Sequence, residues 1–331
     1  MSAPLLEARD LVKQYSRRAG RLAHGRKTVR AVDGVSFAID EGETLGLVGE
    51  SGCGKSTLAR VLLFLEAPTA GEVRFQGQPL TQPEAEHLRR RAQIVFQDPY
   101  TSLPPRMRIG RILADPLLIH GMVRRGQAQE RVAGLLRDVG LNPGLAGALP
   151  HQLSGGQRQR VSIARALAVQ PSLIVADEAV SALDVSVQAQ ILNLMQDLQE
   201  RHRLGYLFIS HDLGIVRYMS HRIAVMYLGS IVETATAREI YERPLHPYTR
   251  ALLSASPTLQ SVNQQRIRLS GEPPDPADPP SGCKFRTRCP IAQPICSREE
   301  PPLKEWLPGR LAACHFALSE VPEATSARGS E

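Results

Sequence analysis

The chain has 331 residues, of which 42% are hydrophobic and 22% charged, and its formal net charge is +7. This size predicts one sizeable core with a smaller appendage, and the lack of an apolar run of 18 or more residues argues against a membrane-spanning helix. Residues 1–5 carry no secretory signal, which predicts a cytoplasmic protein. Basic stretches without interleaved stacking aromatics give no support for nucleic-acid binding.

Apolar runs of strand length alternate with helical stretches from residue 5 to about residue 241. This alternation predicts an α/β fold with a mostly parallel sheet covered by helices. The runs at 45–48, 173–176 and 206–209 are continuously apolar, as expected for strands buried on both faces. Apolar residues at helical spacing predict an inserted helical subdomain over residues 104–152.

The last quarter of the chain differs in composition from the rest. Between Pro257 and Pro280 it is rich in Pro, Gln, Ser and Asp, which predicts a linker or an irregular wrap. A small Cys-rich extension follows, with Cys283, Cys289, Cys296 and Cys314. Disulfides are not expected in a cytoplasmic chain, and four thiolates suit tetrahedral zinc or an iron–sulfur cluster. Residues 319–331 are expected to be a disordered tail.

The loop at residues 49–56 follows the predicted strand 45–48 and opens a helix near Lys55. This context identifies a P-loop, in which glycines let backbone N–H groups close around phosphate oxygens. Lys55 would reach the β and γ phosphates, and Ser56 would ligate Mg²⁺. The candidate ATP-binding residues here are Gly49, Ser51, Gly52, Cys53, Gly54, Lys55, Ser56 and Thr57. Cys53 stands at a variable position and is interpreted as a small filler.

Two adjacent carboxylates, Asp177 and Glu178, follow the predicted strand 173–176. Carboxyl ends of parallel strands face the crevice in which open α/β sheets bind ligands. We expect Asp177 to hold Mg²⁺ through water and Glu178 to act as the general base that polarises the attacking water. The alternative, that both acids cap the next helix, is disfavoured because two adjacent acids are a poor capping arrangement.

An ordered set of motifs resembles the ATP-binding cassette (ABC) family over about residues 5–256. The set comprises the P-loop, Gln97, residues 153–157 (Leu-Ser-Gly-Gly-Gln), Asp177 with Glu178, residues 181–184 and His211. The resemblance implies a P-loop cassette with an antiparallel β subdomain beside the main sheet. It implies that Gln97 contacts Mg²⁺ and the lytic water, that His211 contacts the γ phosphate, and that Tyr15 stacks on adenine.

The pentapeptide at 153–157, here called the signature, opens a predicted helix whose residues Val161, Ala164 and Leu167 face inward. Its exposed N–H groups and the Ser154 hydroxyl would form an anion site. The resemblance implies that Ser154, Gly155, Gly156 and Gln157 contact ATP held by a second ATPase subunit. Two cassettes, expected to be different chains, would then close head to tail around two ATP molecules.

Three further stretches, at 96–107, 243–253 and 282–296, resemble the peptide and nickel importer branch, most closely the second ATP-binding subunit of a dipeptide permease. This implies ATP-driven import of dipeptides or short peptides with two integral membrane permease subunits and a periplasmic peptide-binding protein. The chain would sit peripherally on the cytoplasmic face of the bacterial inner membrane. Oligopeptides, glutathione or nickel are alternative substrates, and a soluble ABC ATPase acting on ribosomes or DNA is a less favoured alternative.

The same branch resemblance extends to the C-terminal region, residues 257–318. In the resembling importers the four cysteines carry four iron and four sulfide atoms, so a 4Fe-4S cluster is expected, with zinc as the alternative. One departure from the family pattern lies beside the base: Ala179 stands where proline is usual, which relaxes the backbone restraint on Glu178.

Overall fold

The computed structural model describes residues 3–18, 26–81, 84–98, 102–255, 267, 269 and 271–318. The predicted disordered tail, 319–331, lies outside the described residues; of the predicted linker or wrap at 257–280, the structure describes residues 267, 269 and 271–280.

A four-stranded antiparallel sheet forms the N-terminal layer, in the order β2-β1-β4-β5. Its strands are β1 (Leu6–Arg18), β2 (Arg26–Ile39), β4 (Ala70–Phe75) and β5 (Gln78–Pro79). β1 pairs antiparallel with both β2 and β4, with register shifts that bend the long hairpin. This sheet confirms the antiparallel subdomain that the family resemblance implied.

The central sheet has eight strands in the order β11-β12-β10-β9-β3-β8-β7-β6. Their bounds are β3 (Thr44–Val48), β6 (Ala92–Val95), β7 (Leu173–Asp177), β8 (Gly205–Ile209), β9 (Arg222–Tyr227), β10 (Ser230–Thr236), β11 (Lys304–Leu307) and β12 (Arg310–Ala312). The five strands from β9 to β6 run parallel, and the other three pair antiparallel. All five residues of β3 and all five of β8 are buried, as their continuously apolar sequences predicted.

The parallel register decides where the loops of the site emerge. Leu47 lies opposite Ile209, Ile209 lies opposite Asp177, and Ala176 lies opposite Val95. The carboxyl ends of β3, β8, β7 and β6 therefore meet along one edge of the sheet. Open α/β sheets bind their ligands at such an edge.

Ten α-helices lie in the described part of the chain. They are α1 (Lys55–Leu62), α2 (Ala85–Arg91), α3 (Ile109–Ile119), α4 (Ala128–Asp138), α5 (Gly155–Leu167), α6 (Val185–His202), α7 (Leu213–Met219), α8 (Ala237–Glu242), α9 (Pro247–Ala255) and α10 (Ile295–Arg298). In the portion of the chain that is described, no helix is both long enough and apolar enough to cross a bilayer.

Helices α3 and α4 occupy the predicted helical insertion. Ile112 and Leu113 of α3 share one apolar cluster with Leu135 and Leu136 of α4. The cluster continues into Val161 of α5 and into the central sheet. Because buried apolar area is the main stabilising term, this shared cluster fixes the start of α5 relative to the sheet.

The C-terminal segment is part of the central sheet. β12 pairs antiparallel with β10, with Ala312 opposite Glu233, and β11 pairs with β12. The sequence pattern did not predict these two strands, because each is only three or four residues long.

Candidate active site

The P-loop connects β3 to α1 with a backbone that requires glycine at two points. Gly52 has φ 77° and Gly54 has φ 112°, in the region that side chains disfavour. A Cβ on Gly54 would lie only 2.1 Å from the carbonyl oxygen of Ala31. Gly54 precedes α1, and no side chain caps this helix end. The first-turn N–H groups are therefore available to an anion.

Lys55 lies inside this loop, with 6% of its surface exposed. Its Nζ donates to the carbonyl oxygens of Gly49, at 2.8 Å, and Glu50, at 3.0 Å. The buried Cys53 thiol is 3.8 Å from the same nitrogen, and burial raises its pKa. Cys53 thus packs beneath the loop, which agrees with its interpretation as a small filler.

Ser56 and Asp177 meet at the sheet edge, as the sequence predicted. Ser56 Oγ donates to Asp177 Oδ1 at 3.3 Å. Burial raises the pKa of Asp177, the hydrogen bond from Ser56 opposes this, and the neighbouring Glu178 charge adds to it. A hydroxyl and a carboxylate in contact are a donor pair suited to Mg²⁺, whose charge would favour the ionised Asp177.

Glu178 follows Asp177 in a left-handed backbone conformation with φ 52°. Its N–H donates to the carbonyl oxygen of Ile209 at 2.9 Å, which ties it to the end of β8. Its carboxylate Oε2 lies 3.3 Å from Nδ1 of His211, which is 61% exposed. The next helix, α6, begins at Val185, so the alternative role of capping that helix is not seen. The structure brings the predicted base, Glu178, and the predicted γ-phosphate contact, His211, together.

Gln97 and Tyr15 both have exposed side chains. Gln97 is exposed two residues beyond the end of β6, and β6 is the strand that pairs with β7. Tyr15, on β1, is 36% exposed, and its hydroxyl bonds to Glu66. Lys13 Nζ lies 5.3 Å from the centre of the Tyr15 ring. Burial raises the pKa of Tyr15, and the nearby side chain of Thr57, in the first turn of α1, opposes this. The antiparallel sheet therefore places this aromatic ring beside the P-loop helix.

The signature opens α5 with a reciprocal capping box. Ser154 Oγ accepts from the Gln157 N–H at 3.3 Å, and Gln157 Oε1 accepts from the Ser154 N–H at 3.0 Å. Gly156 lies against α6, where an added Cβ would be 2.6 Å from Val187 Cγ1. Val161, Ala164 and Leu167 are buried, as predicted. Ser154 itself is exposed at the helix start.

All four C-terminal cysteines are free thiols. Burial, followed by smaller contributions from the other thiols, raises the pKa of Cys289 to about 12 and that of Cys314 to about 11. The Cys283 N–H donates to the Cys296 carbonyl oxygen at 2.8 Å. Across the described ranges, however, no three His, Cys, Asp or Glu side chains are placed to hold a metal ion. The described residues therefore contain no preformed metal site for the expected iron–sulfur cluster.

Sequence reasoning missed three residues around the P-loop. Glu50 N–H donates to Tyr248 Oη at 2.9 Å, and the Glu50 carboxylate accepts two hydrogen bonds from Arg288, at 2.8 and 3.0 Å. The loop and Arg288 are 238 residues apart in sequence. No local pattern could have revealed this pair.

Two sequence models of known families match this chain. One described as "ABC transporter" matches residues 32–181, and one described as "Oligopeptide/dipeptide transporter, C-terminal region" matches residues 232–296. The oligopeptide transport ATP-binding protein AppF of Bacillus subtilis is 51% identical over 319 residues, covering 94% of this chain and 97% of the relative. The chain belongs to the ABC transporter family.

Other relatives of this ABC transporter protein match over nearly their whole length. The dipeptide transport ATP-binding protein DppF of Escherichia coli is 49% identical over 324 residues, with 97% of this chain and 96% of the relative covered. The di/tripeptide transport ATP-binding protein DppF of Pseudomonas aeruginosa is 50% identical over 317 residues, with coverage of 95% and 98%.

Solved ABC cassettes share the fold. The cassette MJ0796, a dimer in a post-hydrolysis state with ADP and Pi, is 30% identical with a TM-score of 0.61, covering 70% of this chain and 99% of that chain. CbiO1 from Clostridium perfringens has a TM-score of 0.63 at 24% identity, covering 72% of this chain and 91% of that chain, which supports the fold alone.

Proposed function

We propose that this chain is the ATP-hydrolysing subunit that powers uptake of dipeptides or short peptides through a multisubunit ABC transporter. The observation that carries the proposal is the near-complete match, at about 50% identity, to ATP-binding proteins named for oligopeptide, dipeptide and di/tripeptide transport. The match of residues 232–296 to the oligopeptide/dipeptide C-terminal region supports it independently of the cassette motifs.

The proposed assembly contains two integral membrane permease subunits, a periplasmic peptide-binding protein and a second, different ATPase subunit. This chain lies at the cytoplasmic face of the inner membrane, bound to the permease subunits. We also propose the division into a cassette at 5–256, with the helical subdomain at 104–152, and a C-terminal region at 257–318. One family model matches residues 32–181, within the proposed cassette, and the other matches residues 232–296, which span the proposed boundary at 256/257.

Within the site, the P-loop N–H groups and Lys55 bind the phosphates of ATP. Glu178 accepts a proton from the water that attacks the terminal phosphorus, while the bond to the β phosphate breaks and ADP leaves. His211, 3.3 Å from the Glu178 carboxylate, orients that carboxylate and faces the departing phosphate. The exposed Tyr15 ring stacks on adenine.

Mg²⁺ would be held by Ser56, Asp177 and Gln97, and when bound it neutralises charge on the phosphate oxygens. The 3.3 Å contact between Ser56 and Asp177 and the position of Gln97 beyond β6 support this ligand set.

The signature residues Ser154, Gly155, Gly156 and Gln157 act on ATP held by the second ATPase subunit. The exposed helix start at Ser154 supports this role, because first-turn N–H groups attract an anion. ATP would therefore hold two cassettes together, and hydrolysis would release them.

The decisive experiment compares uptake of a radiolabelled dipeptide by cells with and without this chain, together with ATP hydrolysis by the purified transporter. Loss of uptake on deletion, and its rescue by the wild-type chain, is the expected result. Unchanged dipeptide uptake with lost nickel or glutathione uptake would reassign the substrate. Purification with ribosomes rather than with membrane proteins would overturn the proposal.

The assignment of the base is tested by Glu178→Gln in the assembled transporter. We expect ATP hydrolysis to fall by about 10²–10⁴-fold, the usual contribution of a general base, while ATP binding persists. Glu200→Gln, an exposed carboxylate on α6, is the matched control and should hydrolyse ATP at the wild-type rate. Hydrolysis by Glu178→Gln at the wild-type rate would refute the assignment.

We further propose that the four cysteines hold a 4Fe-4S cluster, with zinc as the alternative. Four free cysteines within one segment support the proposal, and the pKa values of Cys283, Cys289 and Cys314 are raised chiefly by burial, with smaller contributions from neighbouring cysteines. Anaerobic purification should give a brown protein with visible charge-transfer absorbance and acid-labile sulfide. A colourless protein containing zinc would favour the alternative, and one without either metal would refute both.

A further inference from the structure

An ion pair joins the cysteine-bearing segment, residues 283–314, to the phosphate loop. Arg288, the residue before Cys289, donates from Nη1 and Nη2 to the two carboxylate oxygens of Glu50, at 2.8 and 3.0 Å. Arg288 is 8% exposed, and the Glu50 side chain is 25% exposed. A bidentate arginine–carboxylate pair with this little solvent contact is both directional and weakly screened.

Glu50 is the second residue of the P-loop, and each of its polar groups is engaged. Its N–H donates to Tyr248 Oη, and its carbonyl oxygen accepts from Lys55 Nζ at 3.0 Å. The backbone of Glu50 is thus bonded to the lysine that binds phosphate, while its side chain is bonded to Arg288. Glu50 therefore contacts both Arg288 and Lys55.

Aromatic packing holds the turn at residues 284–288, which carries Arg288, against the rest of the protein. Phe285 is 1% exposed and packs edge-on against Tyr227, with ring centroids 5.3 Å apart. It also contacts Tyr248, at 5.4 Å between centroids. Tyr248 is the residue that accepts from the Glu50 N–H. The C-terminal turn and the P-loop therefore rest on the same aromatic cluster.

The charge of Glu50 explains why the pair matters for nucleotide binding. A carboxylate in the loop that receives a triphosphate repels it, and repulsion between like charges is strong where water is partly excluded. Arg288 neutralises this carboxylate from the side of the C-terminal segment. We propose that Arg288 is a positioning residue of the nucleotide site, which neutralises Glu50 and fixes the P-loop so that ATP affinity depends on the seating of the C-terminal segment. The proposal rests on the proposed role of the P-loop.

The test is a double-mutant cycle on the full-length chain, with a fluorescent ATP analogue and Mg²⁺ as the probe. Arg288→Ala should weaken binding ~10-fold, which corresponds to about 1.4 kcal/mol. In a Glu50→Gln background the same change should weaken binding less than twofold, because no carboxylate is left unpaired. Arg286→Ala is the matched control, since Arg286 donates to Ser281 within its own turn. It should bind like the wild type.

Three outcomes overturn the inference. Arg288→Ala could bind ATP within twofold of the wild type, or it could lose the same affinity in both backgrounds, which would indicate a merely structural role. If Arg288→Ala does not fold, Arg288→Lys replaces it; this variant keeps the charge, and an affinity loss of 10-fold or more would contradict neutralisation.

Turnover in the assembled transporter gives a second readout, in which KM for ATP should rise while kcat changes less than twofold. A fall of kcat with an unchanged KM would contradict positioning of the bound nucleotide. Failure of the proposed P-loop role gives a different result from failure of the Arg288 proposal. In the first case the wild-type chain would not bind ATP, or Lys55→Ala would bind ATP as tightly as the wild type.

Discussion

Two glycine-to-alanine substitutions should change the free energy of unfolding of this protein in opposite directions. Gly54→Ala places a side chain at φ 112°, and its Cβ would lie 2.1 Å from the Ala31 carbonyl oxygen, where real Cβ contacts stay beyond 3.0 Å. Backbone strain of this kind costs about 1–3 kcal/mol, and the clash with a carbonyl adds to it. We therefore expect a loss of about 2–4 kcal/mol in the free energy of unfolding.

The same substitution should also impair ATP binding. Relief of the clash requires the loop to move by roughly 1 Å, and displacements of this size can cost about 10²-fold at a site. Urea unfolding followed by circular dichroism measures the first effect, and titration with a fluorescent ATP analogue measures the second.

Gly134→Ala is the matched control. Gly134 lies inside α4 with nothing within 4 Å of an added Cβ. Alanine there should stabilise the helix by about 0.5–1 kcal/mol and leave ATP binding unchanged. The reasoning is refuted if Gly54→Ala unfolds and binds ATP like the wild type, or if Gly134→Ala is the more destabilised of the two.

Three further predictions concern the buried polar groups beneath the site. Glu233→Ala should lower the free energy of unfolding by about 2–5 kcal/mol, because the buried N–H groups of Leu245 and His246 lose their acceptors; Glu233→Gln should lose less, and equal unfolding midpoints for both variants would contradict this. Burial lowers the pKa of His246 to about 3. The contribution of neutral His246 to the free energy of unfolding is therefore complete above the unfolded pKa of about 6.5. It is lost as pH falls toward 3, by up to about 1.4 kcal/mol per pH unit, because only the unfolded chain takes up the proton. Urea midpoints measured from pH 7 to 4 should therefore fall less steeply for His246→Gln, and parallel profiles would refute the assignment. Tyr248→Phe should destabilise by about 1–3 kcal/mol, since the part-buried N–H of Glu50 loses its partner, and an unchanged melting temperature would refute this.

The central strands could be predicted from the sequence because they are buried on both faces. The apolar runs at 45–48, 173–176 and 206–209 were found as β3, β7 and β8, each extended by one residue at one end. The contact between Ser56 and Asp177 followed from the same reasoning, since parallel strands deliver their following residues to one edge. Periodicity and strand order were sufficient for these features.

Other features required tertiary information that no local pattern carries. The left-handed conformation of Glu178 depends on its bond to Ile209 in a neighbouring strand. The pair between Arg288 and Glu50 joins the two ends of the chain, and surface-type residues such as these give no sign of burial in sequence. β11 and β12 were missed because their pairing with β10 defines them more than their own composition does.

The pairing of β12 with β10 has a consequence for synthesis of the chain. About 75 residues separate the end of β10 from the end of β12. At 5–20 residues per second, a nascent chain would carry β10 as an unpaired edge for roughly 4–15 s. Such an edge can pair with other nascent chains, so premature termination before Arg310 should yield aggregates rather than a shortened ATPase. By pairing with β10, β12 thus covers a sheet edge that could otherwise pair with another chain.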